Sequence, residues 1–152
     1  MQKVTTFIMF NDQSGAAMEF YASVIPDCRV ASKIPGPDGS VADGTFEIES
    51  QRFLCYNGGT YPQFELTQGI SLMIEANTQE EIDLLYEGLS ESGEQQPCGW
   101  LVDKFGLSWQ ITPRRLMDLL GDSDREKSGR VAQAMFKMSK IIIADLEAAA
   151  AG

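Results

Sequence analysis

The 152-residue sequence contains no histidine. Histidine is the one side chain whose unperturbed pKa lies near neutral pH, so its absence excludes Ser-His-Asp and Cys-His catalysis and the usual general base. The absence also removes imidazole, the commonest protein ligand for transition metals. Any chemistry must therefore use carboxylates, thiols, hydroxyls, lysine or a bound cofactor.

Cysteines, basic residues and long apolar runs are also scarce. The three cysteines, Cys28, Cys55 and Cys98, cannot all pair within one chain and form no CxxC motif, which favours a reducing cytoplasm. The 12 basic residues are outnumbered by 22 acidic ones, and a net charge of −10 disfavours nucleic acid and anionic lipid. No apolar run approaches the ~18–20 residues of a membrane span, and no basic-then-apolar leader precedes the first strand. We therefore expect an unprocessed cytoplasmic protein with neither nucleic-acid nor membrane partners.

The sequence is 43% apolar, and its pattern of apolar and polar residues predicts the same order of secondary-structure elements in each half. In each half a strand is followed by a helix and then by three strands, which gives β-α-β-β-β. In the second half, Thr78 and Glu81 form a capping box at the start of the helix. The equivalence of Thr5 and Gly69 gives a period of about 64 residues, which suggests a duplicated module. We expect an α+β fold with one module in residues 1–58 and another in residues 66–112.

Residues 113–152 predict a C-terminal helical extension. Pro113 begins a short helix that Gly121 closes, in keeping with the preference for proline first and glycine after. Ser123 and Glu126 form a second capping box, which is expected to open one long helix. An apolar stripe at helical spacing supports that helix, namely Val131, Met135, Met138, Ile142 and Leu146.

Alternation along four strands divides their residues into two faces. One face is apolar and is expected to pack against the helices: Ile8, Phe10, Leu54, Tyr56, Ile70, Leu72, Ile74, Leu107, Trp109 and Ile111. The other face mixes polar and apolar types: Thr5, Phe7, Met9, Phe53, Cys55, Gly69, Ser71, Met73, Ser108 and Gln110. Such a mixture predicts the lining of a small-molecule pocket, with Trp100 as a further wall. A filled half-barrel, in which Thr5, Ser71 and Gln110 bond to one another or to water, fits the alternation equally.

Four segments together resemble one known family: "FNDQSGAAMEFY" at 10–21, "SLMIEANTQEEID" at 71–83, "DKFGLSWQI" at 103–111 and "AMFKMSKIIIADLEAA" at 134–149. They are similar to the vicinal oxygen chelate superfamily, which includes glyoxalases and bleomycin-resistance proteins. Within it they resemble the PhnB-like subgroup, many of whose members are called 3-demethylubiquinone-9 3-methyltransferase. The resemblance implies paired βαβββ modules that form a curved mixed sheet.

This superfamily usually binds one divalent metal ion, at positions that correspond here to Thr5, Cys55, Gly69 and Gln110. Glycine has no side-chain donor, threonine and glutamine are neutral, and a lone thiol is soft, so these four residues make a poor metal site. The sequence also lacks a glycine-rich strand-turn-helix with an acidic ribose partner, the usual S-adenosylmethionine site. We therefore expect neither a metal nor another cofactor.

Three functions fit these observations. The first is a metal-free pocket protein for a small, partly apolar molecule, with Thr5, Ser71 and Gln110 orienting the ligand. The second is an enzyme of isomerase, lyase or transferase type, including the demethylubiquinone methyltransferase of the family label. It would use Glu47 or Cys55, although Glu47 has the plainer interpretation of an exposed carboxylate on an edge strand. The third is an assembly protein that acts through its C-terminal helix; because superfamily members often dimerise, a homodimer is its simplest form.

Overall fold

Each half of the chain is built around its own four-stranded mixed sheet. The computed structural model describes residues 4–59, 61 and 64–152, and the chain divides into two units, Met1–Thr67 and Gln68–Gly152. Both units show the order β-α-β-β-β, which confirms the predicted α+β fold with a repeated module. The second unit also contains the C-terminal helices. Among the described residues, no helix combines the length and hydropathy needed to cross a membrane.

The first unit consists of five elements: β1 (Thr6–Phe10), α1 (Ser14–Val24), β2 (Cys28–Pro35), β3 (Val41–Ile48) and β4 (Gln51–Asn57). The strand order is β1-β4-β3-β2, with β1 parallel to β4 and the other pairs antiparallel. Helix α1 packs closely on β3 because Gly44 has no side chain. A Cβ atom there would lie 2.6 Å from the Met18 Cε atom and 2.5 Å from the Ser32 carbonyl oxygen.

The residues of β4 that face α1 are not those predicted. Leu54 and Tyr56 were expected on the helix side, but the pairing of Ile8 with Cys55 places Cys55 there, and Phe53 lies beside Phe46. The rings of Phe46 and Phe53 are stacked at 4.6 Å between centroids, and Cys55 is fully buried. Both sets of alternate residues in "FLCY" are apolar, so alternation alone could not identify the buried side.

The second unit begins with five elements: β5 (Leu72–Glu75), α2 (Gln79–Leu89), β6 (Glu94–Gln95), β7 (Trp100–Val102) and β8 (Ser108–Thr112). The strand order is β5-β8-β7-β6, with β5 parallel to β8. The capping box of Thr78 and Glu81 is present, as predicted. Ile70, which was assigned to the helix side of a longer strand, precedes β5 and is 77% exposed, so that assignment was wrong.

The turn before β8 is organised by the carboxylate of Asp103. Its Oδ1 atom accepts hydrogen bonds from the backbone N–H groups of Phe105 (2.8 Å) and Leu107 (3.0 Å). Its Oδ2 atom accepts one from the indole Nε1 of Trp109 at 2.8 Å. Asp103 is only 3% exposed, so these charge-assisted bonds replace the water it lost on burial. In the motif "DKFGLSW", Asp103 therefore has a structural role: it holds the β7–β8 turn and the buried Trp109 in place.

Three helices follow β8: α3 (Arg114–Leu120), α4 (Arg125–Met135) and α5 (Ile143–Ala151). Helix α3 is present with Gly121 at its C-cap, as predicted, but it starts one residue later than predicted, because Pro113 is its N-cap and not its first residue. The N-cap of α4 is Asp124, whose Oδ1 accepts from the N–H groups of Glu126 and Lys127, so the predicted capping box at Ser123 was wrong. Ser and Asp are equally good N-caps, and the two stand side by side in the sequence.

The predicted single long helix is in fact two helices, separated by residues 136–142. Distant groups bind the backbone of this segment: the N–H groups of Cys98 and Gly99 donate to the carbonyls of Met138 (2.8 Å) and Ser139 (2.7 Å). The side chain of Gln79 makes two further hydrogen bonds. Its Nε2 donates to the Ile141 carbonyl at 3.1 Å, and its Oε1 accepts from the Ile143 N–H at 3.0 Å. These bonds replace the internal ones that a continuous helix would make.

We predict that Gln79→Ala lowers the free energy of unfolding by about 1–3 kcal/mol, because partly buried backbone groups of Ile141 and Ile143 lose their partner. Chemical denaturation monitored by circular dichroism would measure the loss. The control is Gln133→Ala on the exposed side of α4, which should stay within about 0.5 kcal/mol of the parent protein. Equal stabilities for the two variants would contradict the role assigned to Gln79.

Candidate functional site

A row of three side chains crosses the face of the second sheet that points away from α2. Register pairs Met73 with Gln110 and Gln110 with Trp100, so the three lie side by side on β5, β8 and β7. Their neighbours along the strands, Leu101 and Trp109, are fully buried on the opposite face, where α2 packs. Met73 is 56% exposed. We call this face, with Met73, Gln110 and Trp100, the open face of the second unit.

Two serines place hydroxyl groups beside this row. Gln110 Nε2 donates a hydrogen bond of 2.7 Å to Ser71 Oγ, so the amide is held in one orientation. Ser108 is paired with Val102 on the same side of the sheet; it is fully buried, and its Oγ has no hydrogen-bond partner among the described residues. The residues predicted for the pocket from this half of the chain therefore share one face.

A groove of about 500 Å³ runs along the β6 edge of the second unit. The residues that line it are Gln68, Glu94, Gln95, Gln96, Pro97 and Trp100. Trp100 belongs to both the groove and the open face, but none of the other predicted pocket residues lines the groove. The Tyr86 hydroxyl lies within hydrogen-bond distance of the carbonyls of Gln96 (2.9 Å) and Trp100 (3.2 Å) and so ties the groove wall to α2.

Sequence reasoning predicted three strands after the helix of this half and missed the turn within "EQQPCGW" at 94–100 that forms the groove. Within this segment Glu94 and Gln95 form β6 and Trp100 begins β7, whereas Pro97–Gly99 form a 3₁₀ turn between them. Pro97 was the available signal, since proline cannot donate to a sheet ladder.

The first unit also has a face that points away from its helix. Phe7 is paired with Leu54 and Met9 with Tyr56, and the rings of Phe7 and Tyr56 are in contact at 4.8 Å. Phe7 is 51% exposed. Phe7 and Met9 thus lie on what we call the open face of the first unit. Leu54 and Tyr56 stand there in place of Phe53 and Cys55, which face α1.

Glu47 lies on this open face but is neither exposed nor on an edge strand. Strand β3 runs between β4 and β2, and Glu47 is 9% exposed. The prediction of an exposed carboxylate on an edge strand was therefore wrong. Its Oε1 accepts hydrogen bonds from Arg52 Nε (3.0 Å) and Nη2 (2.9 Å), and its Oε2 accepts one from Arg29 Nη2. Because both oxygens are held by guanidinium groups, Glu47 is poorly placed to act as a general base.

Cys55 has the wrong environment for a nucleophile. It is fully buried on the α1 side of the sheet, and this burial raises the pKa of its thiol to about 12. Burial also raises the pKa of Cys28, to about 11. Since the thiolate is the reactive form, both residues are almost wholly in the unreactive thiol form near neutral pH.

The four positions that the sequence resemblance equates with metal ligands make a poor donor set for a divalent ion. Thr5 is exposed, Cys55 faces the helix, Gly69 offers no side-chain donor, and the Gln110 amide donates to Ser71. In the part of the chain that the structure describes, no group of three or more His, Cys, Asp or Glu residues could hold a metal ion.

Comparison with known proteins gives the family. Residues 2–112 match the family described as 3-demethylubiquinone-9 3-methyltransferase. The chain belongs to this family. A solved structure from Bacillus cereus, titled a putative 3-demethylubiquinone-9 3-methyltransferase, PhnB protein, is 32% identical with a TM-score of 0.65, and the match covers 74% of this chain and 99% of that one. This confirms the resemblance drawn from the sequence motifs.

More distant structures share the fold. The fosfomycin resistance protein FosX of Listeria monocytogenes is 14% identical with a TM-score of 0.54, and the match covers 74% of this chain and 93% of that one. A glyoxalase/bleomycin resistance protein of Albidiferax ferrireducens is 14% identical with a TM-score of 0.51, covering 74% and 100%. The chain therefore has the glyoxalase/bleomycin-resistance fold of the vicinal oxygen chelate superfamily. The comparison with curated proteins gave no match.

We predict that iodoacetamide at pH 8 alkylates Cys55 at least about 100-fold more slowly than the partly exposed Cys98, because burial both shields the Cys55 thiol and raises its pKa. Peptide mass spectrometry would give the rate for each residue. In urea the three cysteines should react at similar rates. Rapid labelling of native Cys55 would instead support an enzyme with a reactive thiolate.

Proposed function

We propose that this protein binds a small, partly apolar molecule on the open face of its second unit, without a metal ion. The observation that carries the proposal is the row of Met73, Gln110 and Trp100 across three adjacent strands. An indole and a thioether flank one amide there, and apolar walls with a few placed polar groups are the usual composition of a small-molecule site.

The polar groups of this face would orient the ligand. Because Gln110 Nε2 donates to Ser71, the amide oxygen of Gln110 is the atom that would accept a hydrogen bond from a bound molecule. The groove beside Trp100 supplies space for the rest of the ligand. The Listeria monocytogenes FosX structure, by its title, contains manganese(II) and a dihydroxypropylphosphonic acid, which supports small-molecule binding by this fold.

Binding is proposed rather than catalytic turnover, in spite of the methyltransferase description of the family. The glycine-containing loop Gly36–Gly39 joins two antiparallel strands, whereas an S-adenosylmethionine site of the usual kind needs a strand followed by a helix. The buried thiol of Cys55 and the paired carboxylate of Glu47 also argue against the carboxylate or thiol chemistry of the enzyme alternative. We take the family description as a statement of relationship, because a fold does not fix a reaction.

We further propose a cytoplasmic homodimer. All three cysteines are free thiols, which suits a reducing compartment. Val4 and Ile70 are 81% and 77% exposed, and these are apolar side chains that a subunit contact would bury. An interface on one long C-terminal helix has less support, because the helix is broken and Ile141 is fully buried.

Removing metal ions should leave the protein unchanged, because Thr5, Cys55, Gly69 and Gln110 supply no anionic carboxylate or imidazole donor. Elemental analysis of protein grown in metal-supplemented medium should find well under one metal ion per chain. The melting temperature should shift by less than about 1 °C with chelator, since a stabilising ion would otherwise be lost. A stoichiometric metal together with a chelator-induced drop would contradict the proposal.

Met73→Ala should weaken the binding of any compound that stabilises the parent protein, by about fivefold, because roughly 1 kcal/mol of apolar contact is lost. A panel of small amphipathic compounds, screened by thermal shift and followed by calorimetry, provides the measurement. The matched control is Met117→Ala, since Met73 and Met117 are both 56% exposed but Met117 lies on α3. Equal losses in the two variants, or no stabilising compound at all, would contradict the assigned site.

A further inference from the structure

We propose that the open face of the first unit binds an amphipathic monoanion, whose acidic group is recognised by Arg52 and Arg29 and whose apolar body lies on Leu54, Phe7 and Tyr56. The inference rests on the proposed function in one respect, that an open sheet face of this protein binds small molecules. It adds a second place and a chemical class of ligand, such as an aryl-substituted carboxylate.

The cluster of Arg29, Glu47 and Arg52 carries one surplus positive charge in a chain whose net charge is −10. The side chains of Arg29 and Arg52 are 67% and 60% exposed, whereas the side chain of Glu47 between them is 12% exposed. The cations of this cluster therefore face the solvent, and the anion lies beneath them. A second anion approaching from solvent would meet guanidinium groups first.

Glu47 occupies only some of the donors that these arginines offer. Arg52 uses Nε and Nη2 on one carboxylate oxygen, and Arg29 uses Nη2 on the other. A guanidinium group has five N–H donors in a fixed planar fork that matches carboxylate geometry. Because Glu47 already holds both guanidinium groups in position, the binding of an incoming acid loses less conformational entropy of the arginine side chains.

The apolar half of the proposed site begins two residues from Arg52 on the same strand. Arg52, Leu54 and Tyr56 alternate along β4 and so share one face, at intervals of about 6.6 Å. Phe7 lies beside Leu54, and its ring is in contact with that of Tyr56. A ligand with an acidic head and an aromatic body one such interval away matches this spacing.

The far end of the same face fixes the direction in which a ligand would lie. Asp43 is paired with Tyr56, and its Oδ1 accepts from the Asn57 N–H at 3.4 Å. Asp43 and Glu47 are four positions apart on β3, which is about 13 Å along the strand. The carboxylate of Asp43 would repel a second acidic group at that end, so the site selects an acid with one charged end and one apolar end.

The test compares phenylpropionate with phenylpropanol, its neutral counterpart, in titrations of the full-length chain. Nuclear magnetic resonance would follow the Arg52 Nε–H signal, the Leu54 methyl groups and, in the second unit, the Met73 methyl group. We expect saturable shifts at Arg52 and Leu54 with the acid, and at least tenfold weaker binding of the alcohol, because a charge-assisted hydrogen bond is lost.

Three variants localise the effect. Arg52→Gln should weaken binding of the acid about tenfold, and Arg52→Lys, which keeps the charge but not the fork, should recover part of that loss. Arg125→Gln on α4 removes the same charge from an exposed site in the other unit and should leave the affinity unchanged. Glu47 keeps Arg29 as a partner in both Arg52 variants, and melting curves would check that each variant is folded.

The outcomes also separate this inference from the proposed function. Equal binding of acid and alcohol, indifference to Arg52→Gln, or no binding of the acid would overturn the anion site. Shifts confined to the Met73 methyl group would likewise overturn it, while supporting ligand binding on the open face of the second unit. Shifts at Arg52 that depend on the acid would support the anion site even if Met73→Ala had no effect on any compound.

Discussion

The parallel pairing between the first and last strand of each half is the contact on which the rest of the structure depends. It joins β1 to β4 and β5 to β8, and parallel strands require a connection long enough to contain a helix. That helix packs on one face of its own sheet, and the candidate sites lie on the opposite face. Both candidate sites are consequences of this topology, because the side chains of paired parallel residues stand next to each other on the face that the helix does not cover.

Local signals in the sequence were enough to predict the order of elements and several helix boundaries. The capping box at Thr78 and the Pro113–Gly121 helix depend on residues within a few positions of one another, and both are present. Hydrogen bonds between residues that are far apart in the sequence could not be predicted in this way. The break after α4 depends on Gln79, Cys98 and Gly99, which are 40 or more positions away in the chain.

The candidate site was predicted only where alternation was unambiguous. In the second unit, polar Gln110 between apolar Trp109 and Ile111 identified its own face, so the row with Met73 followed from the pattern. In β4 an apolar residue stands at every position from Phe53 to Tyr56, and the choice of buried side depends on Phe46 and Ile8 in neighbouring strands. The groove beside Trp100 depends on a turn at Pro97, which strand periodicity does not describe. The two open faces also differ in chemistry: that of the second unit carries the neutral amide of Gln110, and that of the first unit carries Arg29 and Arg52.

The bonds from Gln79, Cys98 and Gly99 to the segment before α5 also bear on synthesis of the chain. The first unit has all four of its strands once residue 57 has been made. The second unit receives partners for those groups from residues 138–143, which are synthesised after all of its strands. Domains fold as units during synthesis, N-terminal first. The first half can thus fold while the second is still being made, whereas the second stays incomplete until residues 138–143 have left the ribosome.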